Sequence, residues 1–321
     1  MTYFKKKIFG IIGLIIIFCG ILMTVNSASA LSLTPMKQAI SLTPGDTYTG
    51  RVTAYQMGQG DGEFHYETKI SPLTVNDKNK EYYGIFDQES DYTDIVNWVT
   101  LSNGTETVKY GESIDGYASL GEEIDLVYTI NVPKDARGGG HYFAVTVSTV
   151  PGDADDGNVM IKESISIASV VYAEVSGDIN ILGTITENNI PGFILAPPIT
   201  ASFLAKNDGN THSEITYYMQ VFPLFSGEEI YTTEENPSTE YVLPGTTRYI
   251  EQKWDNTPTV GIFKVKQVVY YDSVDNEPSI TEKIVIVCPV WLMFIIVFAI
   301  IALIIWIFLR VSKRRGAKRE R

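Results

Sequence analysis

"KDARGGGHYFAVTV", Lys134 to Val147, is the stretch whose reading decides the fold. Three glycines run into a histidine, and the histidine into an aromatic and β-branched stretch. Glycines beside an imidazole suggest a phosphate-cradling loop with chemistry next to it. A Walker loop, however, needs G-x-x-x-x-G-K-[ST] between a strand and a helix, and a dinucleotide loop needs G-x-G-x-x-G opening a helix. Here the glycines lead into "HYFAVTV", the composition of a strand. A corner fits better. In immunoglobulin-like sandwiches the late F strand is reached over an Asp- or Gly-containing corner, and a tyrosine near its start hydrogen-bonds back to that corner. Asp135 then becomes the corner acid and Tyr142 the corner tyrosine, while the glycines supply positive φ and close strand approach. His141 is expected to alternate opposite to Tyr142.

Outward from this stretch, helical patterns are nearly absent between Leu31 and Glu282, and period-2 alternation is frequent. "IDLVYTINV" sets Ile124, Leu126, Tyr128, Ile130 and Val132 on one face. "SEITYYMQVFPL" and "GIFKVKQVVYY" read the same way, with Gly, Pro, Asn and Asp clusters between such runs. An internal repeat is visible. The strand–turn–strand ending at Leu73 is matched by one ending at Leu224, and "GGGHYFAVTV" by "VGIFKVKQVV", with Tyr142 falling on Phe263. The fold expected is all-β, two immunoglobulin-like β-sandwich domains in tandem. The first runs over 31–176 with an insertion near 75–116, and the second over 177–283.

The two ends describe a membrane protein. Lys5, Lys6 and Lys7 precede the apolar run Ile8–Val25, and Ala28-Ser29-Ala30 comes after it. That order is a signal peptide, 1–30, with an uncleaved anchor as the alternative. Residues 284–309 are uncharged and apolar, long enough for a transmembrane helix. Trp291 and Trp306 stand towards its two ends, as an interfacial belt would have them. The tail 310–321 carries seven basic residues and one acid, so it is expected to stay in the cytoplasm. The large part would then face outward from a single-pass anchor in the cell membrane. That part holds 15 basic and 37 acidic residues once the N-terminal lysines and the tail are set aside. Such an acidic surface repels nucleic acid and favours cations and basic partners. The only cysteines are Cys19 and Cys288, one in each apolar segment, so the outer part must hold together by core burial without disulfides.

The chemistry-bearing residues form no catalytic motif. His65, His141 and His212 stand in neither G-x-S-x-G nor H-E-x-x-H surroundings, and no enzyme is expected. "PGDADDGNV" clusters Asp153, Asp155 and Asp156. It resembles part of a calcium loop but departs from the EF-hand spacing, so a solvated hairpin tip is the competing reading and no cofactor is required. The insertion carries Tyr82, Tyr83, Phe86, Tyr92 and Trp98 among acids. Tyr82, Tyr83 and Tyr92 are the candidate ligand or partner contacts, since aromatics on loops of a rigid sandwich suit stacking on sugar rings or protein anchors. The alternative is that they cover the core, as Trp98 and Leu101 would do.

Three stretches carry a resemblance: "LSLTPMKQAISLTPGDTYTGRVTAY", "VPKDARGGGHYFAV" and "FLAKNDGNTHSEI". With the order of signal, two sandwiches, spanning helix and basic tail, the chain resembles the WxL-interacting protein family of Gram-positive bacteria over nearly its whole length. The resemblance implies that the first unit meets cell-wall polymer (peptidoglycan) and the second meets surface or host proteins. It carries over no individual residue. The chain therefore reads as a membrane-anchored surface binding or adhesion protein. The alternative is a chaperone-like assembly component acting by strand addition.

Overall fold

The computed structural model describes residues 30–57, 63–150, 164–273 and 275–317. Residues 1–29 of the expected signal peptide, with Cys19, and Asp153, Asp155 and Asp156 lie outside the described residues. The chain is all-β apart from a short 3-10 turn, Asp94–Trp98, and one C-terminal helix.

The first half supplies β1 (Ala30–Thr34), β2 (Lys37–Leu42), β3 (Thr47–Met57), β4 (Glu63–Pro72), β5 (Thr74–Asn76), β6 (Tyr83–Ile85), β7 (Val99–Ser102), β8 (Thr107–Lys109), β9 (Ser113–Ser119), β10 (Glu123–Asn131), β11 (Gly139–Thr149) and β12 (Ser166–Val175). One sheet has the order β1-β3-β10-β7-β8 and the other β2-β12-β11-β4-β9. The alternation in β10 buries Ile124, Leu126, Tyr128 and Ile130, and the Tyr128 ring meets Phe143 of the other sheet edge-on at 5.4 Å. Each such fully buried side chain contributes about 1.5–3 kcal/mol.

The second half supplies β13 (Gly183–Asn189), β14 (Phe193–Ile194), β15 (Ile199–Asn207), β16 (Ser213–Pro223), β17 (Tyr231–Thr232), β18 (Ser238–Val242), β19 (Thr247–Trp254), β20 (Gly261–Tyr271) and β21 (Ser279–Val287). Its sheets are β13-β15-β19 and β14-β21-β20-β16-β17, with β18 also on β16. The order β1-β3-β10 thus recurs as β13-β15-β19, and β2-β12-β11-β4 as β14-β21-β20-β16. The repeat seen in the sequence is a repeat of topology.

Its register differs by one residue from the sequence alignment. Phe143 lies opposite Pro72, as Phe263 lies opposite Pro223, so Phe143 is the counterpart of Phe263 and Tyr142 is not. A one-residue slip moves a side chain to the other face of the sheet. Phe143 and Phe263 both point into their cores, Phe263 against Trp254 at 5.4 Å. Tyr142 is on the opposite face of β11, its ring 6.3 Å from Tyr92 and 5.8 Å from Tyr172, while Asp135 is exposed.

The chain divides into two compact units. The first comprises the described parts of Met1–Leu73, Phe86–Ala136 and Tyr142–Ala173; the second comprises Thr74–Ile85, Arg137–His141 and Glu174 onward. The second unit therefore includes two short segments that precede it in sequence. The segment Arg137–His141 explains the three glycines. A Cβ on Gly138 would lie 2.6 Å from the Asp178 nitrogen, and one on Gly139 2.6 Å from the Asn210 carbonyl oxygen. Gly139 also has φ +109°, and the Gly140 N–H donates to the Asn210 carbonyl at 2.8 Å. Two backbones cross there with no room for side chains. His141 is fully buried, and its Nε2 donates to the Arg137 carbonyl at 2.8 Å.

After β21 comes α1, Val290–Ala317, of which Val290–Arg310 is long and apolar enough to cross a membrane. The structure starts this helix at Val290, where the sequence suggested 284. Ile284 and Ile286 are exposed while Val285 and Val287 are buried, so these residues alternate as the end of β21.

Candidate functional site

In the first unit β4 and β9 pair antiparallel at the end of their sheet, with His65 opposite Tyr117, Glu67 opposite Asp115 and Lys69 opposite Ser113. These side chains alternate with Phe64, Tyr66, Thr68 and Ile70, which are buried, so they make a polar outer face. At one end the His65 and Tyr117 rings stack at 4.7 Å and 13°, and Tyr117 is 71% exposed. Asp115 Oδ1 lies 3.4 Å from His65 Nε2.

At the other end, about 13 Å further along the strand, the face runs into a groove of about 320 Å³. It is lined by Glu67 and Lys69–Pro72 of β4, by Phe86 and Asp87, and by Tyr110–Ser113. The turn at Gly111 has φ +90°, and Glu112 Oε2 closes it by accepting the Lys109 N–H at 3.0 Å. The Tyr110 hydroxyl donates to Glu89 at 2.8 Å, and that bond holds the phenol above its ordinary pKa. Ser71 Oγ is shared with Thr146 Oγ1 at 3.1 Å. The lining thus includes three acidic residues, Glu67, Asp87 and Glu112, one lysine, Lys69, and two aromatic residues, Phe86 and Tyr110. Such a groove accepts hydrogen bonds from hydroxyl and amine donors, and its rings pack against C–H faces.

The three candidate tyrosines divide between the units. Tyr82 belongs to the second. Its hydroxyl accepts the Leu243 N–H at 2.9 Å and shares a hydrogen bond with Thr246 Oγ1 at 3.2 Å, and the Arg248 guanidinium lies 4.6 Å over its ring. Burial pushes this phenol's pKa up. Asp77 accepts the Thr247 N–H at 2.9 Å, and Lys80 sits 4.6 Å over the Tyr249 ring. Tyr82 therefore holds the β5–β6 hairpin in place. Tyr83 is 53% exposed on β6. Tyr92, in the first unit, is half-buried against Tyr142, and its carbonyl accepts the Tyr142 N–H at 2.7 Å. Among the described residues, no group of three or more His, Cys, Asp or Glu comes together to hold a metal ion.

Sequence reading singled out Phe86 but missed Glu67, Lys69, Asp87, Tyr110 and Glu112. The polar alternation His65, Glu67, Lys69 in a strand and the "YGE" turn were the available signals.

No protein-family model and no curated protein matches the chain. Solved structures are similar at low identity. A class 5 fimbriae chaperone, CfaA, gives a TM-score of 0.34 at 14% identity over 79% of this chain and 99% of its own. A Salmonella enterica SafA pilin–SafB chaperone complex gives 0.32 at 10% identity, over 80% and 96%. The fibronectin(III)-like modules of Clostridium thermocellum CbhA give 0.20 at 13% identity, over 82% and 96%. At these scores nothing about function transfers.

Proposed function

We propose that this chain is a membrane-tethered surface binding protein, without catalytic activity, whose first sandwich holds a glycan of the cell-wall polymer in the β4–β9 groove. The observation that carries the reading is the groove itself, with carboxylates and ring faces set together on a rigid sheet. Loop-lined sites on rigid scaffolds are where binding usually lies. The acidic lining disfavours polyanions and suits a neutral or amine-bearing, hydroxyl-rich polymer such as peptidoglycan. The apolar helix supplies the tether, with the sandwiches outside. The resemblance to WxL-interacting proteins points the same way.

The test is co-sedimentation of the full chain, in nanodiscs, with purified insoluble cell wall. Enrichment in the pellet that falls at least tenfold with Phe86→Ala and Glu67→Gln together is expected. Wall binding that this pair leaves unchanged would remove the groove from the account.

Strand addition is the second reading, and one observation favours it. Among the described residues β9 ends its sheet, and apart from Ser119, whose N–H and carbonyl are engaged by Glu122, its outer edge offers backbone groups to a partner strand. A partner pairing there would protect Ser113–Ser119 amides from exchange, whereas a glycan in the groove would leave most of that edge exchanging.

A further inference from the structure

The end of the second sandwich from which the helix leaves carries an exposed apolar rim. β21 finishes at Val287 beside Ile194 of β14, and opposite the start of β20 at Gly261. β16 also ends there, where the Leu224 N–H donates to the Ile262 carbonyl at 3.0 Å. The chain segments at this end expose Leu195 (48%), Leu224 (39%), Phe225 (89%) and Val260 (46%), and Trp291 (59%) stands in the first turn of α1. The segments 195–198, 224–230 and 255–260 contain no lysine or arginine, and their acids Glu228, Glu229 and Asp255 are exposed, so the apolar side chains would enter the interface with these carboxylates left in water. At the other end, the turn 207–212 is polar, 272–276 is polar apart from Val274, and Leu243 of the turn 243–246 is buried, although Ile181 and Leu182 are exposed beside them.

Geometry fixes what this rim meets if α1 spans. Only Cys288 and Pro289 separate β21 from α1, and the Cys288 N–H is still held by the Ile194 carbonyl at 3.0 Å. Two extended residues reach about 7 Å. The span Val290–Arg310 is 21 residues, about 31 Å of helix, against a hydrocarbon core of about 30 Å. No spare apolar helix remains to lift the sandwich clear of the bilayer, since 311–317 brings Lys313, Arg314 and Arg315, and the interfacial layer is about 5–7 Å thick on each side.

We infer that Leu195, Leu224, Phe225 and Val260, with Trp291, seat this end of the second sandwich in the lipid interface. The inference rests on the spanning reading of α1. The contact is apolar rather than electrostatic, since the rim lacks basic residues.

Spin labels in proteoliposomes of phosphatidylcholine test it, on the full chain with Cys19→Ser and Cys288→Ser. Labels go at Ser226→Cys beside Phe225, at Ile300→Cys in the helix and at Asp275→Cys at the opposite end. The depth of each is read from relaxation by oxygen against an aqueous nickel reagent. Interfacial depth at 226, bilayer depth at 300 and an aqueous signal at 275 are expected, with 226 moving towards water on Phe225→Ser. An aqueous signal at 226 with bilayer depth at 300 overturns the inference and leaves the span standing. An aqueous signal at 300 overturns the span, and the inference with it.

Discussion

β11 and β20 hold the same place in the two sandwiches, yet only one of them is buried on both faces. Phe143 and Phe263 point into their cores from matching registers. Counting on from them, Ala144 and Thr146 correspond to Lys264 and Lys266. Ala144 and Thr146 are buried, whereas Lys264 is exposed and paired with Glu282 at 2.7 Å. The outer face of β11 is covered, with Tyr92 and Tyr172 around Tyr142; that of β20 meets water at Lys264 and is half-open at Lys266, and only Val268 further along it is buried. The same topology therefore carries a dry outer face in one unit and a wet one in the other. Part of the difference comes from the long excursion from Phe86 to Glu112, which brings Tyr92 to that face and also lines the groove.

The comparison breaks first in the cores. Phe143→Ala and Phe263→Ala should each cost about 3–5 kcal/mol, read as a fall in denaturation midpoint of the full chain in detergent. A small loss at either would deny that the two are counterparts. The outer faces give the next effect. Ala144→Lys should cost about 3 kcal/mol or more, because it buries an unpaired charge. Lys264→Ala should stay within about 0.5–1 kcal/mol. Equal effects would mean the two faces are alike after all. Tyr82→Phe removes the acceptor of the Leu243 N–H and should cost about 1–2 kcal/mol, with faster amide exchange in Thr74–Ile85. Unchanged exchange there would contradict the role given to this hydroxyl.

The smallest effect is a pH dependence in the second unit. Burial, and then the Glu174 and Glu214 carboxylates, hold the Asp272 carboxyl above its ordinary pKa. The folded state thus binds the proton more tightly than the unfolded state. Stability should fall as pH rises from about 4 through the raised folded value. Asp272→Asn should remove that fall and gain under about 1 kcal/mol at pH 7. Asn also accepts the φ of +68° found there. An identical pH slope in the variant would contradict the assignment.

The contrast between the strands was legible in the sequence. "GIFKVKQVVYY" alternates, and "HYFAVTV" does not. A continuous apolar run indicates a strand covered on both faces. The tandem repeat was legible too, because Pro72 and Pro223 end equivalent strands. The register was not. Both Tyr142 and Phe143 are aromatic, and only the pairing with Pro72 shows which one faces the core. The three glycines read as a corner because their partners, Asp178 and Asn210, are distant in sequence. Tyr82 read equally as a partner contact or as cover for the core for the same reason, since the Leu243 and Thr246 that engage its hydroxyl are distant in sequence. Of the groove, Phe86 was visible as an aromatic among acids. Glu67 and Lys69 looked like an ordinary solvated strand face until β9 and the Gly111 turn were set beside them.

The central claim is that the groove of the first unit binds a wall glycan. Its most direct measurement is titration of the full chain, in nanodiscs, with soluble peptidoglycan fragments, following backbone amide exchange across Glu67–Ser71 and Tyr110–Ser113. The expected result is slowed exchange at these residues that saturates with fragment. It should disappear with Phe86→Ala and Glu67→Gln and persist with Tyr82→Phe. Exchange that fragments leave unaltered in the wild-type chain would contradict the account.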